Sequence, residues 1–258
     1  MSRFIDRLKR VSQGAAQPMG FRMVSSAAGP RLLLVAHLAQ PGIANIADYV
    51  AGADAGLISI ARAGSGVKAL EELGRSLADI VWGGWLGDTS REEIEQIVAA
   101  GGDFVVLPVA SSSLAVLEAD DLGKILAVEA SLDEGLLKTV DRLPVDAVLV
   151  VAEPEEESPL TWRRLMSLQR LADILAKPLL VSIPSEVTAD ELQVLWETGV
   201  DGLVVEVEAG QPAARLGELR QMIDRLPPPS RGRRGRKEAL IPRITGEAEL
   251  ATEEEDEA

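Results

Sequence analysis

The chain contains no cysteine, only 3% aromatic residues and a single histidine, His37, among 258 positions. Without cysteine, disulfides, thiolate metal sites and cysteine nucleophiles are all excluded. Long hydrophobic runs are missing too: Leu32 to Ala36 and Ala147 to Ala152 fall far short of the roughly 20 apolar residues that cross a bilayer. Residues 1 to 10 carry Arg3, Asp6, Arg7, Lys9 and Arg10 with no apolar run behind them, which argues against a signal peptide and leads us to expect a cytoplasmic protein. Positive charge is also scarce. The 26 Lys and Arg face 41 Asp and Glu, a formal charge of −15, so nucleic acid and anionic membranes would be repelled by most of the surface. What remains, 47% hydrophobic and 26% charged residues, is the composition of a globular chain able to bury one large core.

The strongest regularity is a short apolar run following an amphipathic stretch, repeated eight times. The runs are Arg31 to Leu38, Ala55 to Ala61, Asp79 to Leu86, Phe104 to Val109, Lys124 to Ala130, Ala147 to Ala152, Pro178 to Ile183 and Gly202 to Val207. Each is rich in Val, Ile and Leu without strict alternation, the pattern of a parallel strand covered on both faces. Between them, sets such as Leu165, Leu168, Leu171, Ala172 and Leu175 keep helical spacing. Thr188 and Thr89 or Ser90 precede acidic first turns and read as N-caps. Eight strands alternating with helices fit an α/β fold, either a closed (β/α)8 TIM barrel or a doubly wound sheet. Count and spacing favour the barrel. After the first strand stands Ala36-His37-Leu38-Ala39-Gln40-Pro41-Gly42 rather than the G-x-G-x-x-G of a dinucleotide-binding sheet.

The barrel is therefore expected over residues 31–226 as a single domain. Ahead of it, residues 1–30 hold a short amphipathic helix in which Phe4, Ile5, Leu8 and Val11 share a face, then a Gly/Ala/Ser/Pro-rich connector. That helix is expected to plug the barrel bottom, with a partner or membrane-surface contact as the competing reading. Behind it, residues 227–258 pass from a proline triplet through an Arg/Gly stretch to Glu253-Glu254-Glu255-Asp256-Glu257, a bipolar tail with too little apolar surface to fold alone and so expected to be disordered. Asp54, Asp79, Asp103, Asp146 and Asp201 stand at or just before strand starts. That is the end of a barrel opposite its chemistry, so they are assigned to turn stability.

Chemistry is sought at the other end, where strands finish. His37, Arg62, Glu129, Glu153 and Glu206 stand there. Strand parity places Glu129 on a face with Ile125 and Ala127, Glu153 with Leu149 and Val151, and Glu206 with Gly202 and Val204. Glu129 and Glu153 end adjacent strands, about 4.8 Å apart, so their carboxylates are candidate ligands for one divalent cation such as Mg2+, against the plainer reading of two solvated rim glutamates. His37 and Glu206 meet where the eighth strand closes on the first and form a candidate acid/base pair, with Arg62 as a substrate-orienting group. Lys124 and Lys177 precede strands rather than end them, which removes a Schiff-base aldolase. Glu206 and Glu208 would repel a phosphate at the loop after strand eight.

The stretch Gly101-Gly102-Asp103-Phe104-Val105-Val106-Leu107-Pro108-Val109, with Ile125-Leu126-Ala127-Val128-Glu129-Ala130 and Val145-Asp146-Ala147-Val148-Leu149-Val150, resembles the core of metal-dependent 2-oxo-acid aldolases and citrate lyase beta subunits. The resemblance covers about 50 residues and is chiefly one of strand pattern. It implies an aldolase-type TIM barrel and a Mg2+ held by a glutamate ending strand five, which Glu129 matches, and by an acid just after strand six. At that second position the family carries aspartate, and this chain offers Glu153. The family's substrate arginine on strand three is replaced here by Asp79-Ile80-Val81-Trp82-Gly83-Gly84-Trp85. Two functions are thus set against each other. One is a Mg2+-assisted lyase or aldolase acting on a small oxo-acid, a small-molecule carboxylate, with Arg62 or His37 orienting it. The other is a non-catalytic barrel serving binding or assembly, and either is compatible with a homo-oligomer.

Overall fold

The computed structural model describes residues 2–13, 31–39, 49–60, 80–87, 90–151, 160–207 and 214–227. Eight parallel strands close into a barrel in sequence order: β1 Leu33–Leu38, β2 Ala55–Ile60, β3 Val81–Leu86, β4 Phe104–Pro108, β5 Gly123–Val128, β6 Ala147–Val150, β7 Leu179–Ile183 and β8 Gly202–Val207. This is the (β/α)8 barrel expected from the pattern, with an open sheet excluded by the pairing of β8 with β1. The described helices are α1 Arg3–Gln13, α2 Arg91–Ala99, α3 Glu134–Val140, α4 Trp162–Ile174, α5 Ala189–Thr198 and α6 Ala214–Arg225, and a 3₁₀ turn, Leu114–Glu118, links β4 to β5. Asp79 and the tail from residue 228 lie outside the described residues, as does the connector 14–30.

Local chemistry sets the helix ends. Ser90 and Thr188 each close a capping box, with Glu93 and Glu191 reaching back to the cap backbone, which satisfies two orphan donors at each start. Gly199 ends α5 at φ 99°, a left-handed turn that glycine alone enters without a steric penalty.

Side chains alternate between two cores. Outward-facing Leu34, Ile58, Val105, Val148, Val181 and Leu203 pack under the helices, whereas inward-facing Leu33, Leu57, Val106, Ile125, Leu149 and Val204 fill the barrel. The interior is completed by α1. Its Phe4, Ile5 and Leu8 are buried in the same inner cluster, and the Phe4 ring stacks on Phe104 with centroids 4.6 Å apart. Gly83 makes room for this pair, since a Cβ there would lie 2.5 Å from the Phe104 ring and 2.5 Å from its carbonyl oxygen. The helix therefore plugs the end at which strands start.

The strand-start aspartates show a regularity that the sequence alone did not separate. Asp54, Asp103, Asp146 and Asp201 each stand one residue before an even-numbered strand. Three of them clamp the odd strand before it: the Asp54, Asp146 and Asp201 carboxylates accept the N–H of Leu34, Lys124 and Leu179. Their own N–H groups donate to the carbonyls of those same residues. The residue of the odd strand is thus held by both its backbone groups, which gives these acids the turn-stabilising role assigned to them. The fourth, Asp103, holds α1 instead. Its carboxylate accepts from Ser2 Oγ at 2.6 Å and from the N–H groups of Arg3 and Phe4 at 2.9 Å, so a side chain a hundred positions away caps this helix. Lys9 Nζ reaches Asp146 at 2.9 Å. Asp103→Ala is expected to cost about 2 kcal/mol, as a lost cap that also strands the Ser2 hydroxyl. Urea denaturation measures it, and an unchanged midpoint would show that hydrophobic packing alone seats α1.

Candidate functional site

Inward parity at the upper ends of β8, β1, β2 and β3 brings four side chains to one arc of the mouth: Glu206, His37, Ser59 and Trp85. Registry fixes their order, for His37 pairs with Glu206 across the β1–β8 seam and Ser59 pairs with Trp85 between β2 and β3. Because His37 pairs with Leu57 on β2, Ser59 stands one inward step higher, within reach of the imidazole. His37 Nε2 lies 2.9 Å from Ser59 Oγ, and the ring stacks on Trp85 with centroids 5.0 Å apart and planes inclined by 21°.

This packing removes water from the imidazole. Burial lowers the His37 pKa from 6.5 to about 4, because a desolvated ring disfavours its charged form. At pH 7 the ring is neutral, with about one molecule in a thousand protonated. It is then a weak base, and a fixed hydrogen-bonding group of moderate polarity. Which nitrogen carries the proton depends on whether Ser59 donates to Nε2 or accepts from it.

Glu206 is exposed on β8 beside His37, and Glu129 is exposed just beyond the end of β5, where Ser131 donates to its carboxylate at 3.2 Å. The closed order of strands puts β5 four places from β1, so Glu129 stands across the mouth from His37 rather than beside it. The barrel unites His37 with Glu206 and sets Glu129 apart. Arg62 and Glu153 lie outside the described residues. Among the described residues no group of three or more His, Asp or Glu gathers closely enough to ligate a metal. Of the two expected Mg2+ ligands Glu129 is the one the structure describes, with the hard oxygen donors that the ion takes, and the second would have to come from Glu153.

Arginines around the mouth brace loops. Arg164 donates to the Ser182 carbonyl, Arg170 to those of Ala130 and Leu132, and Arg215 to those of Ser185 and Val187. The inward described side chains at this end are accordingly neutral or acidic. The sequence shows Trp85 at a strand end and Ser59 as a polar residue able to face inward, without tying either to His37. Parity from Leu57 was the available signal for Ser59; no sequence signal tied Trp85 to His37, because that contact depends on the stagger of three strands.

No protein-family model and no curated protein sequence matches the chain. Solved structures do. A mutant tryptophan synthase alpha-subunit from Pyrococcus furiosus is 12% identical with a TM-score of 0.57, over 75% of this chain and 97% of that one. The 3-keto-L-gulonate-6-phosphate decarboxylase of Vibrio cholerae is 14% identical with a TM-score of 0.58, over 76% and 99%. KGPDC from Streptococcus mutans is 12% identical with a TM-score of 0.58, over 76% and 98%. The chain shares the (β/α)8 TIM-barrel fold of these enzymes. These likenesses give no support to the narrower resemblance to metal-dependent 2-oxo-acid aldolases and citrate lyase beta subunits, and at such identity they carry the fold alone. Among the described residues no helix is long and apolar enough to cross a membrane.

Proposed function

We propose that the chain is a small-molecule lyase working at the mouth formed by the strand ends, with a small oxo-acid as its substrate class. The observation that carries this reading is a histidine kept neutral by burial, held between Ser59 and Trp85, with a carboxylate at the adjacent register position. A neutral imidazole donates a hydrogen bond to a substrate carbonyl through its one N–H, and its fixed dipole needs little reorganisation. Its low pKa makes it a poor proton carrier near neutrality, so the proton-moving role falls to Glu206. The indole of Trp85 walls the imidazole from water and keeps it in that state.

On the far side of the mouth Glu129, together with Glu153, would hold Mg2+. The ion would supply Lewis-acid polarisation of an oxo or carboxylate oxygen and offset the negative charge of both substrate and rim. Two carboxylates leave coordination positions for water and substrate, which suits a cation that arrives with its ligand. The neutral-to-acidic inward surface fits this better than direct capture of a free polyanion.

A thermal-shift series tests the proposal, with Mg2+ or Mn2+ and pyruvate as probes, singly and together. The expected result is a rise in melting temperature that needs both cation and oxo-acid. Glu129→Gln with Glu153→Gln should abolish it, and Glu206→Gln should leave it in place while removing turnover. Absence of any shift in the wild-type chain would favour a barrel that binds or assembles without catalysis.

A further inference from the structure

Asp54, Asp103, Asp146 and Asp201 occupy one register position around the ring. They stand opposite Leu34, Trp82, Lys124 and Leu179, each one step before the pairs Ala55 with Val35, Phe104 with Gly83, Ala147 with Ile125 and Gly202 with Leu180. In all four the aspartate N–H donates to the carbonyl of the residue opposite, at 2.7–2.8 Å. In three the carboxylate accepts the N–H of that same residue, at 2.9–3.1 Å. The backbone at Asp103 is thus laid out as a fourth clamp, but its carboxylate does not accept from Trp82. Both of its oxygens are turned to α1: Oδ1 accepts the N–H of Arg3, and Oδ2 accepts from Ser2 Oγ and from the N–H of Phe4.

Asp146 shows how a clamp and a contact to α1 can coexist, since its Oδ1 binds Lys9 Nζ while its Oδ2 holds the Lys124 N–H. Asp103 does not divide its oxygens in this way. It makes one set of contacts or the other. Water at the open end of the barrel does not forbid the clamp, because the Asp54 and Asp146 side chains keep it while 18% and 31% exposed. The polar attachments of α1 to the barrel go to two residues, Asp103 and Asp146. Residues 14–30, which join α1 to the barrel, reach on the order of 50 Å when extended, so the helix can leave its seat without any strand moving. We propose that α1 is a detachable plug with Asp103 as its switch. With α1 seated the carboxylate caps the helix; with α1 released it turns to the Trp82 N–H and completes the fourth clamp. The bond regained offsets part of those lost, so release leaves a closed barrel instead of unfolding it.

Two full-length variants release the plug by different routes. Phe4→Ala with Leu8→Ala empties its apolar seat, whereas Ser2→Ala with Lys9→Ala removes polar tethers and leaves the core whole. Release is read as faster tryptic cleavage after Arg7 and Arg10, with circular dichroism as the check that the barrel is folded. Asp103→Ala is then added to whichever variant is released and folded. It should lower the melting temperature by roughly 3 °C, as loss of a hydrogen bond to a charged acceptor does in a domain of this size. It should also speed hydrogen exchange at the Trp82 amide about tenfold relative to that of Leu179, whose clamp is untouched. A carboxylate that serves α1 alone would change neither quantity once the helix has left, and that result would overturn the proposal. An α1 that resists trypsin in both variants, or a barrel that unfolds as a whole in both, would overturn it as well.

Discussion

Phe4→Ala is expected to cost about 3–5 kcal/mol, the range for emptying a buried phenyl site. Phe4 is wholly buried inside the strand ring and stacked on Phe104, and the walls around it belong to a closed barrel that cannot collapse into the void. A ceiling applies, because Phe4 sits on a helix joined to the barrel at one end. Once the loss exceeds what seats α1, the helix undocks and no further stability can be lost through it. The variant should therefore be no less stable than a chain lacking residues 2–13. Urea denaturation of both, with Phe4→Leu as a volume-preserving control, gives the comparison. A loss below about 1 kcal/mol would mean that α1 contributes little to barrel stability.

The second large effect is a dependence on pH. An unfolded histidine titrates near 6.5, whereas His37 in the folded chain titrates at about 4. Between those values the unfolded chain binds a proton that the folded chain refuses, so stability rises with pH across that window. It is fully present above about pH 6.5 and is lost as pH falls toward 4. The expected loss is about 2–3 kcal/mol, less than the full linkage value because the ring keeps some contact with solvent. Carboxylates also titrate in this range, so the readout is the difference between wild type and His37→Gln, which should lose the step. A directly observed imidazole titration near 6.5 would sink both this expectation and the neutral-histidine mechanism.

These two residues also mark how far the sequence could be read. Phe4, Ile5 and Leu8 declare an apolar face through spacing alone, and a barrel whose strands begin at one end has one place to receive it. Parity placed Glu206 and Glu129 on inward-facing strand positions, because alternation along a strand is a local property. The grouping around His37 was not legible in the same way. It depends on the stagger between neighbouring strands, by which Ser59 rather than Leu57 stands level with the imidazole, and stagger comes from closure of the whole ring. Ser59 and Trp85 carry no charge to mark them beside the glutamates, and their value lies in excluding water from His37. For the aspartates the repeat was visible but its division was not: that even strands carry the clamp, and that Asp103 serves α1, follows from three-dimensional pairing.

The remote cap on α1 has a consequence for the order in which the molecule assembles. Ser2 and Phe4 bind a carboxylate 101 and 99 positions further along, and Lys9 binds one 137 positions further. During synthesis α1 leaves the ribosome long before Asp103, and longer still before Asp146. Contacts of such separation form after the local ones, since loop closure must come first. Phe4, Ile5 and Leu8 thus spend much of translation as an uncovered apolar helix face. The rate of their docking sets how long that exposure lasts.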